Sequence, residues 1–269
     1  MINRNTLSEN VVAISISESP DMAMLGLSRE HIDDAMAEVA RHLLAMDAQV
    51  IYGGDLRSGG FTEILFEIVS RYSREADPDT QRIYARNFLA WPVHVNMSIE
   101  QLNQTSQNFE NIAELVCLTS DAKVMAAQER AKHSKRPATE GEWSVGLTSM
   151  RDMMTQISNA RIILGGRVEN FKGKMPGIAE EALSSLKAKK PLFILGGFGG
   201  CAGDISAIIG LDPKRKLREP KWPGQDEFSG ISKNDIVNGL SLQENELLAT
   251  TIHIDQAVAL MLRGLLRIA

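Results

Sequence analysis

Three glycine-rich stretches each follow a short apolar run in this sequence. Gly53-Gly54-Asp55-Leu56-Arg57-Ser58-Gly59-Gly60 follows QVIY, Gly165-Gly166-Arg167 follows ARIIL, and Gly196-Gly197-Phe198-Gly199-Gly200 follows PLFIL. Glycine lets a backbone approach a phosphate closely, and a helix that follows supplies unpaired N–H groups and a favourable dipole. Arg57 and Arg167 add charge-assisted bonds to phosphate oxygens, and Thr62 stands where the first loop turns into a helix. The run VVAISIS closes on Ser15, Ser17 and Glu18, whose hydroxyls and carboxylate suit a phosphate and the hydroxyls of a ribose. Asp204, just past the third loop, suits either a ligand hydroxyl or a helix cap. A single Gly pair serves a tight turn equally well, and the serines a polar turn. Three loops at equivalent strand ends predict a shared binding rim. None matches the Walker phosphate loop or the GxGxxG dinucleotide fingerprint, which argues against an ordinary P-loop ATPase and a standard dehydrogenase.

The elements that must hold these loops alternate between short apolar runs and amphipathic segments. Strands are predicted at 11–17, 49–53, within 82–95 up to an interruption at Pro92, and at 114–120, 160–164 and 191–197. Helices are predicted from Ser28 to about 47, from Phe61 to Tyr72, from Ser144 to Ser158, from Pro176 to the lysines before Pro191, and over 200–209. The strand runs lack strict alternation, as expected when both faces are covered. This order predicts a Rossmann-like, doubly wound, mainly parallel α/β sheet, which puts all three loops on its carboxyl edge, where open α/β sheets bind ligands. Residues 121–142 read as a surface loop or a mobile lid. Residues 211–230, basic and then punctuated by Pro and Gly, read as an extended arm, and one helix over 243–267 would carry Leu247, Thr251, Ile254, Val258, Met261 and Leu265 on one face. The expected organisation is a nucleotide-binding domain over 1–210, with 211–269 packed on it or on a partner subunit.

A more specific constellation runs from Arg151 through the strand at 160–164 and Gly165-Gly166 to Met175-Pro176-Gly177-Ile178-Ala179-Glu180-Glu181. It resembles the Lonely Guy phosphoribohydrolases and the wider SLOG superfamily, which takes in relatives of the DNA-processing protein DprA and the ligand-binding domains of TRPM channels. In those hydrolases a helical Arg precedes a PGGxGTxxE signature. The resemblance sets Arg151 on the matching helix, Gly165-Gly166 on the early glycines, Gly177 on the later glycine and Glu181 on the closing glutamate, with Glu180 beside it. Residues 167–175 are an insertion, and Ile178 replaces the family's Thr. The likeness therefore implies a divergent member, on the side of the defence- and nucleotide-signalling branches and not a cytokinin-activating enzyme. The chemistry implied is N-glycosidic cleavage or transfer, in which positive charge develops on the ribose. A carboxylate from Glu180 or Glu181 would stabilise that charge or activate water, and Arg151 would hold a phosphate so that binding orients the scissile bond. The same residues are also explained as acids complementing a helix N-terminus and an Arg paired along its helix.

Composition sets the outer limits. Of 269 residues, 43% are hydrophobic and 23% charged, the balance of an ordinary globular protein. A net charge of −5 gives no global attraction to nucleic acid or an anionic membrane. Neither a leader-like apolar stretch nor a run long enough to span a bilayer is read, so a cytoplasmic location is expected. Cys117 and Cys201 lie far apart, and His31, His42, His94, His133 and His253 show no metal-ligand spacing; no metal and no cofactor are called for. The expected partner is a nucleotide or an NAD- or ADP-ribose-type small molecule, with a homo-oligomer implied by the resemblance. The leading reading is an enzyme acting at the N-glycosidic bond. The alternative is a sensor that binds the same ligand without turning it over, which Ile178 and the insertion favour. A purely structural subunit is the weakest reading, given so many glycines at one edge.

Overall fold

The expected period-2 logic of buried strands sorts the side chains of this sheet into two cores. In the computed structural model, which describes residues 6–75, 82–108 and 113–269, Val12, Ile14 and Ile16 of β1 (Val11–Ser17) join one apolar cluster while Ala13 joins another. The chain continues through α1 (Arg29–Ala45), β2 (Gln49–Tyr52), α2 (Phe61–Glu75), β3 (Ala85–Leu89), α3 (Trp91–His94), α4 (Ile99–Asn108) and β4 (Ala113–Cys117). It then forms α5 (Ala127–Arg130), α6 (Glu140–Ile157), β5 (Ala160–Gly165), α7 (Gly177–Lys187), β6 (Leu192–Leu195), α8 (Gly200–Ile208), α9 (Leu242–Thr250) and α10 (Ile254–Ile268). The strands form one parallel sheet in the order β4-β3-β2-β1-β5-β6. Side chains of α1, α2 and α10 fill one face; those of α6, α7 and α8 fill the other. This is a doubly wound, Rossmann-like α/β fold. After β4 the chain crosses back to lay β5 beside β1, with Ser17 opposite Gly165, so the switch point of the topology lies between the carboxyl ends of those two strands.

Several elements depart from the sequence reading, each for a local reason. Pro92 does end the third strand, but it does so by opening α3 near its first position, where its missing N–H costs nothing. Helix α4 was not anticipated. Its start is marked by Ser98 and Gln101, whose side chains bond each other's backbone N–H groups, a capping box legible in the sequence. Helix α6 begins before Ser144 because Thr139 and Glu142 form another such box. The polar stretch 121–142, read as a loop or lid, is pinned from within by Arg130, which is 1% exposed. Its guanidinium donates to His94 Nδ1 (2.9 Å) and to the carbonyls of His94, Met97 and His133.

The arm read over 211–230 lies on this chain's own core. Leu211, Trp222 and Phe228 are buried in the cluster that includes Ala182 and Ile205. The single terminal helix is in fact two, broken at 251–253. Thr250-Thr251-Ile252 are consecutive β-branched residues with weak helix preference, and Thr251 Oγ1 accepts from His253 N–H (3.1 Å) in place of a helical bond. The break turns Leu247 outward, at 42% exposure, while Val258, Met261 and Leu265 stay buried. No helix among the described residues is long and apolar enough to cross a membrane. The first five residues of the segment read for a leader lie outside the described residues.

Candidate functional site

A cleft of about 350 Å³ opens at the carboxyl ends of β1, β2 and β5, within the range of small-molecule sites, roughly 300–1,000 Å³. The strand ends contribute Ser15, Ser17 and Glu18, and the loop after β2 contributes Gly53, Gly54, Asp55, Arg57, Gly59, Gly60 and Thr62. Helix α6 contributes Arg151, the loop after β5 contributes Arg167, and α7 contributes Gly177 and Glu181. All of these were picked out in the sequence. The other candidates lie elsewhere, as given below. Four arginines and Lys172 face three carboxylates (Glu18, Asp55 and Glu181) around the cleft, so an acidic protein carries a cationic pocket. The first turn of α2, through Phe61 and Thr62, lines it too; N–H groups at a helix start have no intrahelical acceptor and favour an anion.

Arg29 and Lys172 were missed. Arg29 left a trace in the sequence, because a cation in the first turn of a helix opposes the macrodipole and so asks for an anion nearby. Its guanidinium bonds Glu18, Asp33 and the carbonyl of Gly59 (2.8 Å) and lies 4.7 Å over the Phe61 ring. It thereby ties the end of β1 to the loop after β2. Arg57 pairs with Asp55 at 2.7 Å, and Arg167 approaches Glu18 at 3.9 Å. Burial, with the charges of Asp55 and Glu181 behind it, pushes the Tyr52 phenol up, so the cleft holds a protonated hydroxyl.

The two adjacent glutamates have opposite circumstances. The carboxylate of Glu180 accepts from Thr148 Oγ1 and Arg151 Nη1 and does not line the cleft. Gly177 makes that ion pair possible, since a Cβ there would lie 2.5 Å from Arg151 Nη2. Glu181 is 7% exposed, and what remains open faces the cleft. Its carboxylate accepts no hydrogen bond among the described residues, and its nearest cation is Arg161 Nη1 at 3.6 Å. Arg161 is fully buried and donates to Ser15 Oγ (2.8 Å), Thr155 Oγ1 (3.0 Å) and Ser185 Oγ (3.0 Å). Burial lowers its pKa, and Glu181 opposes that shift.

The second and third glycine loops serve the fold around the cleft. Gly165 and Gly166 have φ of +66° and +111°, and a Cβ on Gly165 would lie 2.3 Å from Ser17 O; neither lines the cleft. At the third loop, Gly196 and Gly197 are pressed against the backbone of Ala249 and Thr251, and Gly199 against Asp21. The N–H of Gly200 donates to Asp21 Oδ2 (2.7 Å). That carboxylate also accepts from Arg215 and Arg218, and Asp204 accepts from Arg215 (2.8 Å) and Trp222 Nε1 (3.2 Å). The anion at the start of α8 is therefore the protein's own. The structure does not bring Gly196, Gly197, Gly199, Gly200 and Asp204 to the cleft.

A doubly wound parallel sheet with a cationic cleft at its switch point defines the class: a Rossmann-like α/β protein. The chain belongs to the family described as SLOG cluster2, whose model matches residues 6–256. A solved X-ray structure titled TM1055, a structural-genomics target, is similar at 16% identity over 78% of this chain and 86% of that one, with a TM-score of 0.42. Comparison with curated proteins gave no match.

Proposed function

We propose that this protein binds a nucleotide, or an NAD- or ADP-ribose-type compound, in the switch-point cleft and cleaves or transfers at its N-glycosidic bond. Membership of the SLOG family supports a nucleotide-related ligand or chemistry at a glycosidic bond. The observation that carries the reading is Glu181: a carboxylate held by a buried guanidinium, unused by any hydrogen bond among the described residues, and turned to the void that four arginines surround. Phosphate oxygens take the arginines and the first turn of α2. The ribose then lies toward Glu181, whose negative charge stabilises the cationic sugar of the transition state. In hydrolysis the C1′–N bond breaks, water oxygen bonds C1′, and the water's two protons end on the new sugar hydroxyl and on the base, with Glu181 as the acceptor that relays one of them. Glu180 keeps Arg151 in place.

The test is chromatography after incubation with nucleoside monophosphates, NAD and ADP-ribose. Base release that Glu181→Gln abolishes is expected; no release from any of them, with ligand recovered intact, would establish the alternative of a non-catalytic sensor. One observation favours that alternative, namely that Ile178 sets an apolar side chain in the cleft wall where the hydrolase signature has a hydroxyl. A cytoplasmic location and assembly with further copies of the chain belong to the same reading.

A further inference from the structure

Beside the cationic cleft lies a second cavity of about 410 Å³, and the two share the wall formed by Gly53, Gly54, Asp55, Arg57 and Leu147. Its chemistry is the reverse of its neighbour's. Phe88, Val93, Met97, Trp143 and Met150 line it, and its charged lining residues, Asp55 and Arg57, belong to the shared wall. The two spaces are also joined by a cation–π contact, with Lys172 Nζ 5.9 Å from the centre of the Trp143 ring; Lys172 lines the first cavity and Trp143 the second. Cationic on one side and aromatic on the other, the pair matches a molecule with anionic and flat apolar ends.

One polar side chain of the second cavity outside the shared wall gives it a sign. Asn96 Nδ2 donates to the carbonyl of Pro92 at 2.6 Å. A carbonyl can only accept, so this bond fixes the amide orientation and leaves Oδ1 as an acceptor. Among the described residues nothing donates to it. A free carbonyl oxygen pairs with an exocyclic amine and repels a ring carbonyl, and polar sites of this kind discriminate strongly when the wrong group leaves them unpaired. We propose that the second cavity is the base subsite of the ligand and that it selects an amino-bearing base, adenine or cytosine, over hypoxanthine or uracil. This rests on the nucleotide reading of the first cleft. Trp143 supplies a stacking face, Val93 and Met97 the apolar floor, and Asn96 Oδ1 the reading group.

Titration calorimetry with ribose 5-phosphate, AMP and IMP tests it on the full chain. Wild type is expected to bind AMP at least about tenfold more tightly than ribose 5-phosphate or IMP, as stacking on an aromatic side chain and one read hydrogen bond provide. Val93→Trp, which fills the cavity, is expected to bring AMP down to the affinity of ribose 5-phosphate while leaving the latter unchanged. Asn96→Leu is expected to equalise AMP and IMP. Trp143 fluorescence gives a readout on unaltered protein: AMP quenches it, ribose 5-phosphate does not, and the difference vanishes in Trp143→Phe. If ribose 5-phosphate binds but AMP binds no tighter, or AMP keeps its advantage in Val93→Trp, the base subsite is refuted and the nucleotide reading of the cleft stands. If none of the three binds, nor NAD nor ADP-ribose, the cleft reading itself fails and the subsite falls with it.

Discussion

Replacing Arg161 by Met asks whether the buried guanidinium really holds Glu181 in place. Two charges 3.6 Å apart interact by roughly 4–5 kcal/mol at an effective dielectric constant of 20. Removing one partner of a buried pair typically costs about 3–5 kcal/mol, because the other charge is left uncompensated. The low end applies here, since water in the cleft reaches the exposed edge of Glu181. Of the three hydroxyls on Arg161, two keep a partner, since Ser185 Oγ donates to Glu181 O (2.9 Å) and Thr155 Oγ1 to Arg151 O (3.0 Å); Ser15 Oγ gives up the bond from Arg161 but lines the cleft. Arg161→Met should therefore lose about 3 kcal/mol, measured as the shift in urea midpoint followed by circular dichroism. For a chain of this size that is a fall of roughly 6–12 °C in Tm. The diagnostic is the double variant Arg161→Met with Glu181→Leu, which removes both charges and should recover about 2 kcal/mol of the loss expected from adding the single effects. Additive losses in the double variant, or an Arg161→Met protein within about 1 kcal/mol of wild type, would show that the pair does not carry the energy assigned to it.

Asp21→Asn should cost about 3–5 kcal/mol, since the carboxylate bridges Gly200, Arg215 and Arg218 in a site where it is 5% exposed. Although burial raises its pKa, the hydrogen bonds from Arg218, Arg215 and Gly200 outweigh that and hold it below the usual carboxylate value. The wild-type contribution is thus present above the unfolded pKa near 4 and lost as pH falls through the folded value, and comparing urea midpoints of the two proteins at pH 7 and pH 3 checks the sign. His94 is depressed to about 4, first by burial and then by Arg130, against a bond to Leu118 O that raises it; it should remain neutral by NMR below pH 5. Stability should fall on acidification from about 6.5 to about 4 by on the order of 3 kcal/mol from this residue, a slope that His94→Phe should lose. Gly177→Ala forces Cβ against Arg151 and should cost about 1–3 kcal/mol by overpacking, read by thermal melting; an unchanged melt would refute the close approach.

The sheet was legible because its signal is regional: apolar runs at regular intervals with amphipathic segments between them allow few topologies. What failed to show was set by single contacts at a distance. The break before α10, begun locally by the β-branched run 250–252, needs Gly197 to let Thr251 pass, since a Cβ there would lie 2.0 Å from the Thr251 carbonyl oxygen. The placement of the arm depends on Asp21 and Asp204 meeting Arg215 and Arg218 across 194 and 14 residues of sequence respectively. By contrast, the starts of α4 and α6 are written locally in Ser98-x-x-Gln101 and Thr139-x-x-Glu142, and a search for capping boxes would have found both.

The glycine loops show why a binding motif is harder to read than a fold. A glycine that admits a phosphate and a glycine that admits the protein's own backbone or carboxylate have the same sequence signature, because both answer a demand for close approach. The first loop faces the void with its glycines and the second with Arg167 alone; the third presents its N–H to Asp21, so the charge complementarity expected of a ligand is satisfied internally. Glu180 and Glu181 pose the same problem at one residue's separation. Successive helix positions point about 100° apart, so whichever of the two meets Arg151, the other must face elsewhere. Thr148 and Arg151 both lie on α6 and both donate to Glu180, which turns Glu181 toward the sheet, over Arg161 and into the cleft. The choice of candidate carboxylate is thus made by α6, a helix nearly 30 residues away in sequence, and a variant that releases Glu180 from it would disturb Glu181 without touching it.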